Sequence, residues 1–152
     1  MILRNEFFPE DTNDNSIIKI KHLHIANDEQ YDRKEEIYIY ILQLSNGYFY
    51  VGQTVNPSSR IKKQFSGKGS SWTKLNPPKS VISIIKAGTK NWKEAEQIEN
   101  KTTLNLMIKH GWKNVRGGFW CNRNQDTTFN ALSNHREYIE GLGCQYSSVI
   151  KM

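Results

Sequence analysis

Two apolar, tyrosine-rich runs on either side of Ser45-Asn46-Gly47 form the clearest pattern in the chain. Residues 37 to 44 read IYIYILQL and residues 48 to 53 read YFYVGQ. Their β-branched and aromatic content predicts two strands. Asn and Gly tolerate positive φ, so the turn between the runs predicts a hairpin. Asn56-Pro57 reads as a helix start, because Asn can cap free amides and Pro suits the first helical position. That helix is expected to run to about Phe65 and stop at Gly67. The Gly-, Ser- and Pro-rich stretch SGKGSSWTKLNPPKS predicts a loop. Residues 81 to 88, VISIIKAG, predict a third strand. Over residues 91 to 110, Trp92, Ala95, Ile98, Leu104, Met107 and Ile108 recur at mostly helical spacing, with Gly111 as the C-cap. The stretch KNVRGGFW reads as a loop, and residues 127 to 141 as a last helix.

The N-terminal third is different. Residues 1 to 16 are polar with little periodicity and read as a loose arm. Residues 17 to 25, IIKIKHLHI, suggest an extra strand, and residues 26 to 36 a turn or short helix. The organisation predicted is an arm and extra strand over 1–35, a core over 36–120, and a helical extension over 121–152. The fold class expected is α/β of the α+β type: a small three-stranded mixed or antiparallel sheet flanked by helices, with the N-terminal strand and C-terminal helix added.

Charge sharpens this picture. The 152 residues carry a net charge of +6, but unevenly. Residues 1–36 hold 5 Lys/Arg against 9 Asp/Glu, residues 37–120 hold 13 against 3, and residues 121–152 hold 3 against 3. A central segment with a balance of +10 invites a polyanionic partner. No apolar run approaches the roughly 18 residues of a membrane span, and MILRNEFFPEDTNDN lacks the apolar stretch of a signal peptide. The chain is therefore expected in the cytoplasm, a host cell's if it is phage-encoded, and away from membranes. Cys121 and Cys144 are the two cysteines, without the spacing of a zinc site. His22 and His24 alternate without a third ligand.

Four positions suit phosphodiester chemistry: Tyr40 and Tyr50 on the paired strands, Arg60 on the following helix, and Glu99 on the long helix. A tyrosine can take a water's proton if nearby cations lower its pKa. An arginine fork matches two phosphate oxygens, and a carboxylate can hold a divalent ion. Glu96 shares the face of Glu99, while Glu94 lies on another side of the helix. Tyrosines in a hairpin are also ordinary half-buried strand residues, and Arg60 alone would be an ordinary helix surface residue.

Tyr38-Ile39-Tyr40, then Tyr50-Val51-Gly52 ten residues after Tyr40, then Arg60 ten residues further, resemble the motif set of the GIY-YIG nucleases. Glu99 in Glu99-Asn100-Lys101-Thr102-Thr103 resembles their metal-binding glutamate. FSGKGSSWTK and NVRGG resemble a branch common in viruses and phages, with Asn114 at a position of a structural asparagine. The resemblance covers about residues 36 to 120. It implies divalent-metal-dependent DNA cleavage to a 5′-phosphate and 3′-hydroxyl, by a stand-alone phage-type or restriction-like enzyme. Tyr40 would be general base, Tyr50 its helper, Arg60 the phosphate ligand, and Glu99 the ligand of one Mg²⁺ or Mn²⁺ ion. Lys62, Lys63, Gln64, Lys68, Trp72, Lys74 and Arg116 are the expected nucleic-acid contacts, with Trp72 either stacking on a base or closing its loop. DNA is the expected partner, and a homodimer is compatible with the sequence, which does not decide it. Three positions depart from the family. Tyr38 replaces a glycine, Gln53 a lysine or small polar residue, and Gln64 a histidine or tyrosine. Glutamine cannot take up a proton, so two further readings stand beside the first: a catalytically reduced nucleic-acid-binding module, and a partner-binding inhibitor on the same fold.

Overall fold

The computed structural model describes residues 34–151. The arm, the predicted strand over 17–25 and both His22 and His24 lie outside the described residues. Strands β1 (Tyr38–Leu44) and β2 (Phe49–Thr54) form the predicted hairpin. Asn46 and Gly47 both take positive φ, 65° and 76°, as the turn chemistry requires. Helix α1 (Pro57–Phe65) begins as expected: the Asn56 side chain accepts from the Ser59 amide at 3.1 Å, with Pro57 in the first turn. A short α2 (Ser71–Leu75) leads to β3 (Pro78–Lys86), then to α3 (Trp92–His110), capped by Asn91 and closed by Gly111 at φ 94°. Strand β4 (Val115–Gly117) and helices α4 (Gln125–Asn134), α5 (Arg136–Gly141) and α6 (Tyr146–Val149) complete the described chain.

The sheet order is β3-β1-β2-β4, antiparallel except for β4, which runs parallel to β2. The three-strand expectation thus gains a fourth strand, from a stretch read as loop. Glycine-rich and three residues long, it carries no strand pattern. Tertiary packing makes it one. Phe49, Tyr50 and Val51 pair with Val115, Arg116 and Gly117. Three other expectations shift. The loop over 66–80 contains α2, because Ser70 caps it and Trp72 anchors it. Strand β3 starts at Pro78 rather than residue 81, on the sheet's outer edge, where proline is tolerated. The single helix over 127–141 breaks at His135 (φ −96°, ψ 16°), whose Nδ1 accepts from the Trp120 indole at 3.2 Å. Among the described residues, no helix is long and apolar enough to cross a membrane.

Alternation along the hairpin builds two cores. One face carries Ile37, Ile39, Ile41, Phe49 and Val51 against α3 and residues of α4–α6 such as Leu132, Ile139 and Val149. The opposite face carries Tyr40, Leu42, Leu44 and Tyr50 against Trp72 and Ile84, with Ile61 of α1 packed alongside. Burying each full aliphatic side chain contributes about 1.5–3 kcal/mol, so helices on both faces are needed to hold so small a sheet. Cys144 is buried, and Cys121 is exposed; both are free thiols.

Gly117 lies where β4 meets both β2 and α3. A Cβ there would stand 2.6 Å from Thr103 Oγ1 and 2.7 Å from the Val51 carbonyl oxygen. Backbone cannot yield as a side chain can, so Gly117→Ala is expected to destabilise the protein by about 1–3 kcal/mol. Gly141→Ala, at a position with nothing within 4 Å, is expected to leave the urea unfolding midpoint unchanged or raise it. Equal midpoints for the two variants would contradict the close packing of β4.

Candidate active site

Tyr40 lies directly across from Gly52 in the β1–β2 register. Its hydroxyl occupies the volume a side chain would need, for a Cβ on residue 52 would stand 2.4 Å from Oη. The glycine of Tyr50-Val51-Gly52 is therefore a space requirement set by Tyr40. Tyr50, on the same face, sets its ring 6.2 Å from that of Tyr40. Both rings are buried, Tyr40 completely.

Helix α1 brings two residues to these phenols from consecutive turns. The Gln64 amide nitrogen donates to Tyr40 Oη at 2.9 Å. Its amide oxygen accepts from the Ser70 backbone N–H at 3.0 Å and from the Thr73 hydroxyl at 2.6 Å. The Ser70 amide can only donate, so it fixes which end of the Gln64 amide faces Tyr40. Arg60, one turn earlier and partly exposed, sits beside both phenols. Burial acts to lower the Arg60 pKa, but the phenols of Tyr40 and Tyr50 outweigh it and raise the value, so the guanidinium stays charged.

Both tyrosine pKa values are raised. Burial raises the Tyr40 pKa above its usual value, and the Gln64 hydrogen bond and the Arg60 charge offset this only in part. Burial, with Tyr40 and Glu99 nearby, raises Tyr50 further. Desolvation of the phenolate therefore outweighs the Arg60 charge; the expectation of lowered values rested on Arg60 together with a metal ion.

Glu99 reaches the sheet from α3. Its Oε1 accepts from the Gln53 side-chain amide at 3.1 Å, and its Oε2 from the Gly118 backbone N–H at 3.1 Å. Burial lifts its pKa to about 7 despite these two donors, with Glu96 adding to the rise. The carboxylate is near enough to oppose ionisation of Tyr40 and Tyr50. Gln53, a departure from the family pattern, thus holds Glu99. Gln64, another departure, holds Tyr40. No pattern within the chain marks either contact, because the partners lie 46 and 24 residues apart.

The structure brings Arg60 of α1 and Glu99 of α3 each within electrostatic reach of Tyr40 and Tyr50 on the paired strands. It separates the expected nucleic-acid contacts into two groups. Lys62, Lys63, Lys68 and Lys74 are exposed. Gln64, Trp72 and Arg116 are enclosed, at 0%, 4% and 0% exposure, and direct contact with nucleic acid is a role the structure withdraws from them. Trp72 closes its loop: the indole N–H donates to the Phe49 carbonyl at 3.1 Å, and the ring stacks on Tyr48. Arg116 lies over the Trp72 ring at 4.4 Å and donates to the carbonyls of Trp112, Val115 and Asn122. Burial lowers its pKa to about 10. Among the described residues, no group of three or more His, Cys, Asp or Glu side chains is placed to hold a metal ion. Glu99 presents one hard, desolvated carboxylate, which suits an ion that keeps most of its water, as Mg²⁺ does.

Residues 36–106 match the GIY-YIG catalytic domain. A UPF0213 protein of Halalkalibacterium halodurans is 40% identical over 45 residues, covering 30% of this chain and 48% of that protein. UPF0213 proteins of Enterococcus faecalis and Streptococcus sanguinis are 36% identical over 53 residues and 31% over 49, covering 60% and 56% of their own lengths and 35% and 32% of this chain. The chain thus spans about half to three-fifths of the curated relatives it matches. No solved structure matches it. The similarity to that domain thus lies in residues 36–106.

The Glu99 value carries a prediction about stability. In the folded state the carboxyl titrates near 7, against about 4.5 when unperturbed. Between these values the folded protein holds more protons than the unfolded chain, so stability falls as pH rises through that window. The loss is complete above pH 7 and on the order of 3 kcal/mol. Urea unfolding at pH 5 and pH 8 is expected to show a smaller drop for Glu99→Gln than for wild type; equal drops would mean that Glu99 ionises normally.

Proposed function

We propose that the protein is a divalent-metal-dependent DNA endonuclease that hydrolyses phosphodiester bonds. One observation carries this reading: two hydroxyls, one guanidinium and one carboxylate converge from four separate elements, in a region that matches a nuclease domain. Arg60 grips the scissile phosphate through two non-bridging oxygens. Arg60 and Gln64 both approach the Tyr40 oxygen as donors. Once the Tyr40 proton is lost, those donors stabilise the phenolate that takes the attacking water's proton. Tyr50 positions that water. Glu99 is the residue that would hold one Mg²⁺ or Mn²⁺ ion, which when bound supplies Lewis-acid stabilisation of the phosphate and leaving oxygen. The exposed Lys62, Lys63, Lys68 and Lys74 carry the duplex backbone on either side. The phage-type part of the finer reading rests on the FSGKGSSWTK and NVRGG stretches.

A second reading has its own support. Gln64 cannot relay a proton, and burial raises both phenols. A binding module that has lost turnover would keep DNA affinity in EDTA and never cut plasmid in Mg²⁺ or Mn²⁺.

Under the nuclease reading, Arg60→Ala and Glu99→Ala are each expected to lower plasmid cleavage by roughly a hundredfold or more with the fold intact. Tyr40→Phe removes only a hydroxyl and is expected to cost about a hundred- to ten-thousandfold in rate. Tyr48→Phe, whose ring stacks on Trp72, is the control and is expected to cut normally. Because burial raises Tyr40, the wild-type rate is expected to keep climbing across pH 7 to 9. A plateau already reached at pH 7, or equal rates for the two Phe variants, would exclude Tyr40 as the base.

DNA affinity is expected to fall steeply with salt, since lysines on the basic core displace counterions from phosphates. An affinity unchanged between 50 and 200 mM salt would show that this segment is not the DNA face.

A further inference from the structure

We propose that Phe119 is a stacking platform for an unpaired nucleobase beside the scissile phosphate, so that the preferred DNA carries an unpaired nucleotide at the cut. The inference rests on the nuclease reading and names a substrate class for the same site.

Phe119 follows directly on the residue whose backbone amide donates to Glu99. Its own backbone N–H donates to Asn100 Oδ1 at 2.8 Å. Consecutive amides of the loop after β4 are thus tied to consecutive side chains of α3. Gly118 has φ 52°, and a Cβ there would stand 1.9 Å from Asn100 Oδ1, so the loop is pressed flat against the helix. Residue 119 is fixed in position relative to the Glu99 carboxylate.

The ring is fixed as well. It stacks on His135 at 5.2 Å with a 29° tilt and meets Tyr138 at 5.2 Å. Both supports are pinned. The Trp120 indole donates to His135 Nδ1 at 3.2 Å, and the Asn100 amide donates to the Tyr138 hydroxyl at 2.8 Å. Between buried Gly117 and buried Trp120, Phe119 remains 39% exposed. A lone exposed apolar residue is ordinary on a protein surface. An aromatic ring held against Trp120, His135 and Tyr138, next to the residue that hydrogen-bonds the candidate metal ligand, is a different arrangement: the ring is supported and Phe119 stays partly open beside the candidate site.

The geometry of DNA selects the ligand. Bases within a duplex present only their edges in the grooves. An aromatic platform needs a π-face, which an unpaired or splayed nucleotide offers. Stacking of one base on one aromatic ring corresponds to roughly a five- to hundredfold change in affinity.

The test uses the full chain and two synthetic duplexes, one with a single bulged 2-aminopurine and one with the same base paired. Binding and 2-aminopurine fluorescence are measured in EDTA, and cleavage in Mg²⁺. Wild type is expected to bind the bulged duplex at least fivefold more tightly, quench its fluorescence, and cut next to the bulge. Phe119→Ala and Phe119→Leu are expected to lose both preference and quenching, while Phe119→Trp keeps them. The leucine variant retains apolar packing on His135 and Tyr138, so it reports the loss of the π-face even if the alanine variant unfolds. Equal binding of both duplexes by wild type, or a preference that survives in Phe119→Leu, would overturn the proposal. Quenching and preference without any cleavage would uphold the base contact and overturn the nuclease reading. Cleavage without preference would do the reverse.

Discussion

Tyr40 can stand where it does only because residue 52 has no side chain. From that close approach across one hairpin the tyrosine face of the sheet takes its shape. The hydroxyl lies over Gly52, at a level that α1 can reach, and α1 supplies Gln64 and Arg60 from adjacent turns. The Gln64 amide is satisfied at both ends, by Tyr40 on one side and by Ser70 and Thr73 on the other. A fully buried amide with partners missing would cost about 1–3 kcal/mol per unsatisfied group. Satisfied, it couples the hairpin to α1 and α2.

The opposite face solves a different problem. Glu99 is a buried carboxyl on α3, and it is expensive to ionise there. Two donors from two different strands' surroundings, the Gln53 side chain and the Gly118 backbone, offset part of that expense. The carboxyl near neutrality is the balance left over. A cation at Glu99 would relieve the desolvation that raises its pKa, so metal affinity and proton affinity compete for the same oxygen atoms.

Much of this was legible in the sequence, and for physical reasons. The hairpin announced itself through its β-branched and aromatic content and an Asn-Gly turn, α1 through Asn56-Pro57, and α3 through its spacing and Gly111. These are local codes, written in neighbouring residues. Strand β4 had none. Its three residues pair because Gly117 fits between Val51 and Thr103, a condition set by residues 66 and 14 positions earlier. Arg116 looked like a basic contact since charge is visible in a sequence and burial is not. Trp72 could equally have closed its loop or faced DNA, until its indole found the Phe49 carbonyl. The tyrosine pKa values show the same limit: a neighbouring cation can be inferred from a motif, while the desolvation that outweighs Arg60 depends on everything packed around the ring.

The match to the catalytic domain ends at residue 106, but the molecule does not divide there. Val115 and Trp120 share one core with Ile39, Leu104, Leu132 and Val149. The donor that steadies Glu99 comes from Gly118, and Asn100 reaches out to Tyr138 of α5. A fragment cut at the edge of the recognisable domain would keep all four motif residues and lose the strand, the amide and the apolar surface that hold one of them in place. In this protein the unit that sequence similarity recognises is smaller than the unit that folds.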